Sequence, residues 1–85
     1  MKFNESKIKG LYVVELQPLI DERGFFVRSY CDKALRRAGI TKSIKQINHS
    51  FTSKVGTIRG MHYQHLPHVE IKMVRCIAGE IFDVA

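Results

Sequence analysis

Short runs of β-branched and aromatic residues, each closed by glycine, proline or a polar turn, recur along the chain and constrain its fold more than any other feature. Leu11–Leu16 (LYVVEL) lies between Gly10 and Pro18, and Phe25–Tyr30 (FFVRSY) follows the turn formers Asp21, Glu22, Arg23 and Gly24. Ile44–Phe51, Thr57–Gln64, Ile71–Ile77 and Ile81–Ala85 repeat the pattern, separated by a turn at Ser53–Gly56, a loop around Pro67 and a tight turn at Ala78-Gly79. Helical spacing is confined to Cys31–Gly39, where Ala34, Leu35 and Ala38 give a narrow apolar side, Asp32 is placed to cap and Gly39 suits the C′ position. Five or six strands with one short helix and no internal repeat predict an all-β fold, an antiparallel β-sandwich or barrel, rather than alternating βαβ units.

A chain of 85 residues with 45% hydrophobic content supports one core and one domain, residues 1–85, and no more. Its last residues, Glu80–Ala85 (EIFDVA), read as a strand in progress with no closing turn, so a partial domain is expected. Half of such a domain leaves strand edges that should pair with another copy. The formal charge of +6 favours anionic partners, but the basic residues are scattered and only Arg36 and Arg37 adjoin. That pattern suits a nucleotide or phosphorylated metabolite, and no motif supports a nucleic-acid interface. Cys31 and Cys76 form neither a C-x-x-C pair nor a disulfide framework and are expected to be reduced. With no apolar leader and no run long enough to span a bilayer, a cytoplasmic protein without membrane partners is expected.

The chemistry concentrates in Gly56–Gln64 (GTIRGMHYQ), where a cation, two glycines, an imidazole and a phenol fall within one short stretch. Arg59 suits a planar oxyanion group, and His62 is a proton acceptor near neutral pH. Regular strand alternation would place Arg59 and His62 on opposite faces, so a bulge at Gly60 is the expected device for turning them to one side. Lys72 suits a developing enolate oxygen, though a surface lysine with its stem along apolar neighbours is the commoner arrangement. Asp83 is the nearest strand carboxylate that could orient His62. In Ile44–Phe51 the amides Gln46 and Asn48 project from one face and His49 from the other, which fits a pocket wall, though an exposed edge strand with its polar residues facing water is the commoner arrangement. The run His62, His65, His68 and Glu70 has metal-ligand chemistry, but residues three apart on a strand face opposite ways, so no metal is expected.

Four ordered motifs, DERGFF (Asp21–Phe26), QINHS (Gln46–Ser50), RGMHYQ (Arg59–Gln64) and KMVRCIAGEIFDVA (Lys72–Ala85), resemble the dTDP-4-dehydrorhamnose 3,5-epimerase family of RmlC-like cupins. The resemblance covers nearly the whole chain and corresponds to the N-terminal half of a family member. It implies an RmlC-like cupin jelly roll, a homodimer with strand contacts between subunits, and a cofactor-free isomerase. The implied reaction inverts C3 and C5 of a dTDP-4-keto-6-deoxyhexose in dTDP-L-rhamnose biosynthesis.

By the same resemblance His62 is the base that removes protons next to the C4 ketone, and Arg59 and Lys72 bind substrate. Gln46, Asn48 and His49 fall in the substrate-binding strand, and Arg23 and Phe26 meet the nucleotide from the neighbouring subunit. Arg28 departs from the family pattern, standing where a glutamate usually contacts the thymine. In family members the tyrosine acid and the aspartate that orients the histidine lie beyond position 85, so impaired catalysis by the 85-residue chain is expected. The alternative is a nucleotide-sugar-binding remnant of the family that binds without catalysing.

Overall fold

The computed structural model describes all 85 residues and divides into two compact units, Met1–Ser43 with Val84–Ala85, and Ile44–Asp83. All of the regular structure, four strands and one short helix, lies in the first unit. Strands with little helix are the element content of an all-β fold.

β1 (Lys2–Glu5) and β2 (Tyr12–Glu15) form an antiparallel ladder in which Phe3 faces Val14 and Glu5 faces Tyr12. The sequence predicted β2 and missed β1, whose polar KFNE lacks the apolar run of a strand. What closes this ladder is its connection. The Ser6 amide donates to the Leu11 carbonyl at 2.8 Å, the Glu5 carboxylate accepts the Gly10 amide at 3.0 Å, and Gly10 has φ +84°. Phe3 and Tyr12 meet edge to face with ring centroids 6.5 Å apart.

β3 (Leu19–Asp21) and β4 (Gly24–Phe26) form a tight hairpin over Glu22 and Arg23. The Asp21 carboxylate accepts the Arg23 amide at 2.9 Å, an Asx-type closure that fixes the turn where the sequence places it. The expected strand Phe25–Tyr30 is shorter than predicted, because β4 ends at Phe26, where its partner β3 begins at Leu19.

Helix α1 (Asp32–Arg37) starts one residue later than expected, with Cys31 at the N-cap in extended geometry and no side-chain cap bond. Asp32 therefore does not cap. It sits in the first turn, where its charge complements the helix dipole, and binds Arg36 one turn on at 2.8 Å. The C-terminus is a Schellman motif: the Gly39 amide donates to the Arg36 carbonyl at 3.0 Å and the Ile40 amide to the Leu35 carbonyl at 2.9 Å. Gly39 has φ +85°, as its predicted C′ position requires. Leu35, at 8% exposure, is the only buried hydrophobic residue, so the single core expected from composition is reduced to this point.

The second unit carries turns without strands. The predicted strands Ile44–Phe51, Thr57–Gln64, Ile71–Ile77 and Ile81–Ala85 do not form. The predicted turns do: the Thr57 amide donates to the Lys54 carbonyl at 3.4 Å, the His68 amide to the His65 carbonyl at 2.8 Å, and Gly79 has φ +78°. β-branched and aromatic residues favour a pleated surface only when a neighbouring strand completes it. Here the apolar side chains of those runs remain exposed, Ile58 at 92% and Phe82 at 95% among them.

Candidate functional site

Arg59, His62 and Lys72, with Gln46, Asn48 and His49, all belong to the Ile44–Asp83 unit. The chain between Arg59 and His62 is redirected at Gly60, which has φ +120°, a conformation that L side chains rarely adopt. A Cβ on Gly60 would stand 3.8 Å from the His62 Nδ1, so the imidazole lies back against the glycine. No strand ladder passes through Gly60, which corrects the expected bulge: there is no register to shift, and glycine acts through its own dihedral.

Lys72 reaches His62. Its ammonium donates to the His62 main-chain carbonyl at 2.7 Å and pairs with the Glu70 carboxylate at 3.1 Å. This closes the chain across the Pro67 loop, whose own bond is that of the His68 amide to the His65 carbonyl. The cation is thereby fixed beside the backbone of the candidate base, about half exposed. Sequence reasoning placed Lys72 near a reacting oxygen but did not find Glu70 as its partner. The signal was present, because residues two apart in an extended segment project to the same side.

Arg59 is anchored elsewhere. Its Nη2 donates to the Phe51 carbonyl at 3.0 Å, tying it to the end of the segment that carries Gln46, Asn48 and His49. No hydrogen bond joins its guanidinium to the His62 imidazole. Gln46, Asn48 and His49 are exposed and lie outside any strand, so neither the pocket wall nor the paired edge strand is formed. Tyr63 packs edge to face on His65 at 5.1 Å, a contact that alternation predicts for side chains two apart. The four residues considered as metal ligands are not gathered, and no group of three or more His, Cys, Asp or Glu side chains is placed to hold an ion. Asp83 is exposed and makes no bond to His62.

In the first unit, Arg23 occupies the β3–β4 turn, and its guanidinium pairs with Asp21 at 2.7 Å. The Arg23 side chain, followed by its backbone amide, holds the Asp21 carboxyl below the ordinary carboxylate range. At 83% exposure the guanidinium remains open to a second anion. Phe26 ends β4 opposite Leu19, two-thirds exposed, and presents a flat apolar ring to solvent. Arg28 is exposed and borders a concavity with helix α1. No helix is long and apolar enough to cross a membrane.

Comparison with known proteins gives a consistent set of matches. The family model described as dTDP-4-dehydrorhamnose 3,5-epimerase matches residues 5–85. A dTDP-4-dehydrorhamnose 3,5-epimerase of Shigella flexneri is 41% identical over 86 residues, covering 100% of this chain and 47% of the relative. The Pseudomonas aeruginosa protein of the same name is 40% identical, with 100% of this chain and 46% of the relative covered. That of Methanothermobacter thermautotrophicus is 33% identical, with 99% and 44% covered. The chain thus spans about half the length of the curated relatives it matches. No solved structure matches it.

Proposed function

Because the chain belongs to the dTDP-4-dehydrorhamnose 3,5-epimerase family, we propose that it supplies the base and the substrate anchors of an epimerase acting on a dTDP-4-keto-6-deoxyhexose. The observation that carries this reading is the family match over residues 5–85, which includes every residue assigned below.

Hydrogens on C3 and C5 are acidified by the C4 ketone between them. His62 removes each proton as general base, and the electron pair moves into an enolate whose negative charge rests on the C4 oxygen. Lys72 stabilises that oxygen, since an ammonium aimed at charge that develops during the step lowers its barrier. The bond from the Lys72 ammonium to the main-chain carbonyl of His62 supports this reading. A solvent-derived proton then adds to the opposite face of the enolate carbon, which restores the C4 ketone and completes the inversion. Arg59 holds the diphosphate through paired N–H donors, and the amides Gln46 and Asn48, with His49, contact the sugar. Arg23 and Phe26 meet the nucleotide from a neighbouring subunit, the ring stacking on the base. The fold of this assembly is an RmlC-like jelly-roll homodimer. Arg28 replaces an acceptor with a donor at the thymine, which changes the edge of the base it can bond.

The test is incubation with dTDP-4-keto-6-deoxyglucose in deuterated water. Deuterium at C3 and C5 is the expected result. Binding of dTDP without any exchange would instead establish a nucleotide-sugar-binding remnant, and neither binding nor exchange would reject both readings.

A further inference from the structure

A lysine side chain carries large rotamer freedom, and a single bond at its head leaves the ammonium free to swing about the acceptor. Lys72 has two contacts. One N–H donates to the His62 main-chain carbonyl at 2.7 Å, and the Glu70 carboxylate lies 3.1 Å from the same nitrogen. The two restraints come from the two ends of the Pro67 loop, His62 from before it and Glu70 from after it. With two neighbours the ammonium is confined in direction as well as in distance. Because an ammonium has several donors, the bond to His62 leaves N–H groups for an oxygen of a bound molecule. Lys72 and Glu70 are each about half exposed, so that oxygen can approach from solvent. Of the carboxylates in the Ile44–Asp83 unit, Glu70, Glu80 and Asp83, only Glu70 pairs with a cation.

We propose that Glu70 is the positioning residue of Lys72 in the proton transfer described above, the reading on which this role rests. Two effects of its charge oppose each other. A carboxylate beside the ammonium repels the enolate and so weakens the stabilisation of the C4 oxygen, but it also holds the ammonium in place before the charge develops. Placement prevails. The carboxylate acts on the ammonium at 3.1 Å, whereas two anionic groups on one ammonium lie on different sides of it, and at this half-exposed position water screens the repulsion between them. A donor that must first be oriented loses the advantage of one organised in advance. Glu70 makes its ion pair with Lys72 and acts through it.

The test measures solvent-deuterium exchange at C3 and C5 of dTDP-4-keto-6-deoxyglucose, dTDP affinity, and the NMR splitting of the paired Hε resonances of Lys72, which are inequivalent when the ammonium is held and merge when it swings freely. Glu70→Gln is expected to lower exchange by about two- to fivefold, the range of a half-exposed ion pair, with dTDP affinity unchanged and the Hε splitting reduced. Glu70→Asp, which keeps the charge, should recover part of both. In the Lys72→Met chain the further change Glu70→Gln should have no effect on exchange, because the residue it acts through is gone. Glu80→Gln removes an equal charge from a carboxylate without a cation partner and should alter neither exchange nor splitting. Faster exchange in Glu70→Gln, or an equal loss with and without Lys72, overturns the proposal. So does an unchanged Hε splitting. If the unaltered chain shows no exchange at all, the epimerase reading falls, and the splitting still decides whether Glu70 places Lys72.

Discussion

The Lys72 ammonium donates to the main-chain carbonyl of His62 at 2.7 Å while paired with Glu70 at 3.1 Å, so one cation both closes the Pro67 loop and stands beside the candidate base. Lys72→Met keeps the apolar stem and removes both interactions. Solvent-deuterium exchange at C3 and C5 should then fall by about 10²–10³, the loss typical of a single oxyanion donor. Glu70→Gln leaves the ammonium bonded to the carbonyl and should change exchange far less. Equal losses in the two variants would assign Lys72 to loop closure alone.

His62→Gln preserves hydrogen bonding and removes the base. Exchange should drop by about 10²–10⁴, with dTDP binding retained, because base assistance acts on the transition state and not on nucleotide affinity. Binding is measured by calorimetry and exchange by mass spectrometry on the same preparation. A variant that loses binding and exchange together would make His62 an anchor.

Asp21 gives a pH-dependent signal at the β3–β4 turn. Its carboxyl is held below its ordinary value, first by the Arg23 side chain and then by the Arg23 amide. A depressed folded-state pKa means that the contribution to the hairpin is present above the unfolded carboxylate value and is lost as pH falls through the folded one. The Arg23 amide resonance should therefore move with a midpoint below that of an unperturbed aspartate. Asp21→Asn should abolish the transition. Both side chains face solvent, so screening by salt should reduce the displacement of the midpoint.

What the sequence made legible in this fold divides by the range of the interaction. The turns at Asp21–Gly24, Ser53–Gly56 and Ala78-Gly79 and the Gly39 cap are local: each is settled within a few residues by a glycine dihedral or a side chain that bonds its neighbour's amide. Strands are settled by partners. Tyr12–Glu15 forms because Lys2–Glu5 pairs with it, whereas Thr57–Gln64, with equally strong β character, has no ladder in this chain and remains unpaired. β1 itself was invisible because KFNE has no apolar period and owes its state to β2. At the candidate site, residue chemistry identified Arg59, His62 and Lys72, but their bonds to Phe51, to each other and to Glu70 depend on where loops close.

Gly39→Ala tests the helix end. A Cβ there would meet nothing within 4 Å, so the substitution introduces no clash, and its effect is the strain of an L residue at φ +85°. That strain is about 1–2 kcal/mol. The Schellman bonds to Arg36 and Leu35 depend on this dihedral, so α1 should fray from its C-terminus and Leu35 should lose its protection. Far-UV circular dichroism and amide exchange at Ile40 read the change. Unchanged Ile40 protection would contradict it.

The exposed apolar residues of the Ile44–Asp83 unit supply the last prediction. Ile47, Ile58 and Phe82 are each more than four-fifths exposed, and they lie in three runs of strong β character that have no ladder in this chain. Unpaired backbone donors and acceptors along such runs favour addition of another strand, and an exposed apolar patch favours its burial. The dimer proposed above provides both through a second copy. Static light scattering on the chain at increasing concentration should show association to at least a dimer. Ile58→Lys, which replaces an exposed apolar side chain of an unpaired run with a charge, should shift the association to higher concentration, while Val13→Lys on the already paired β2 should not. A monomer at every concentration would remove the homodimer from the proposed assembly.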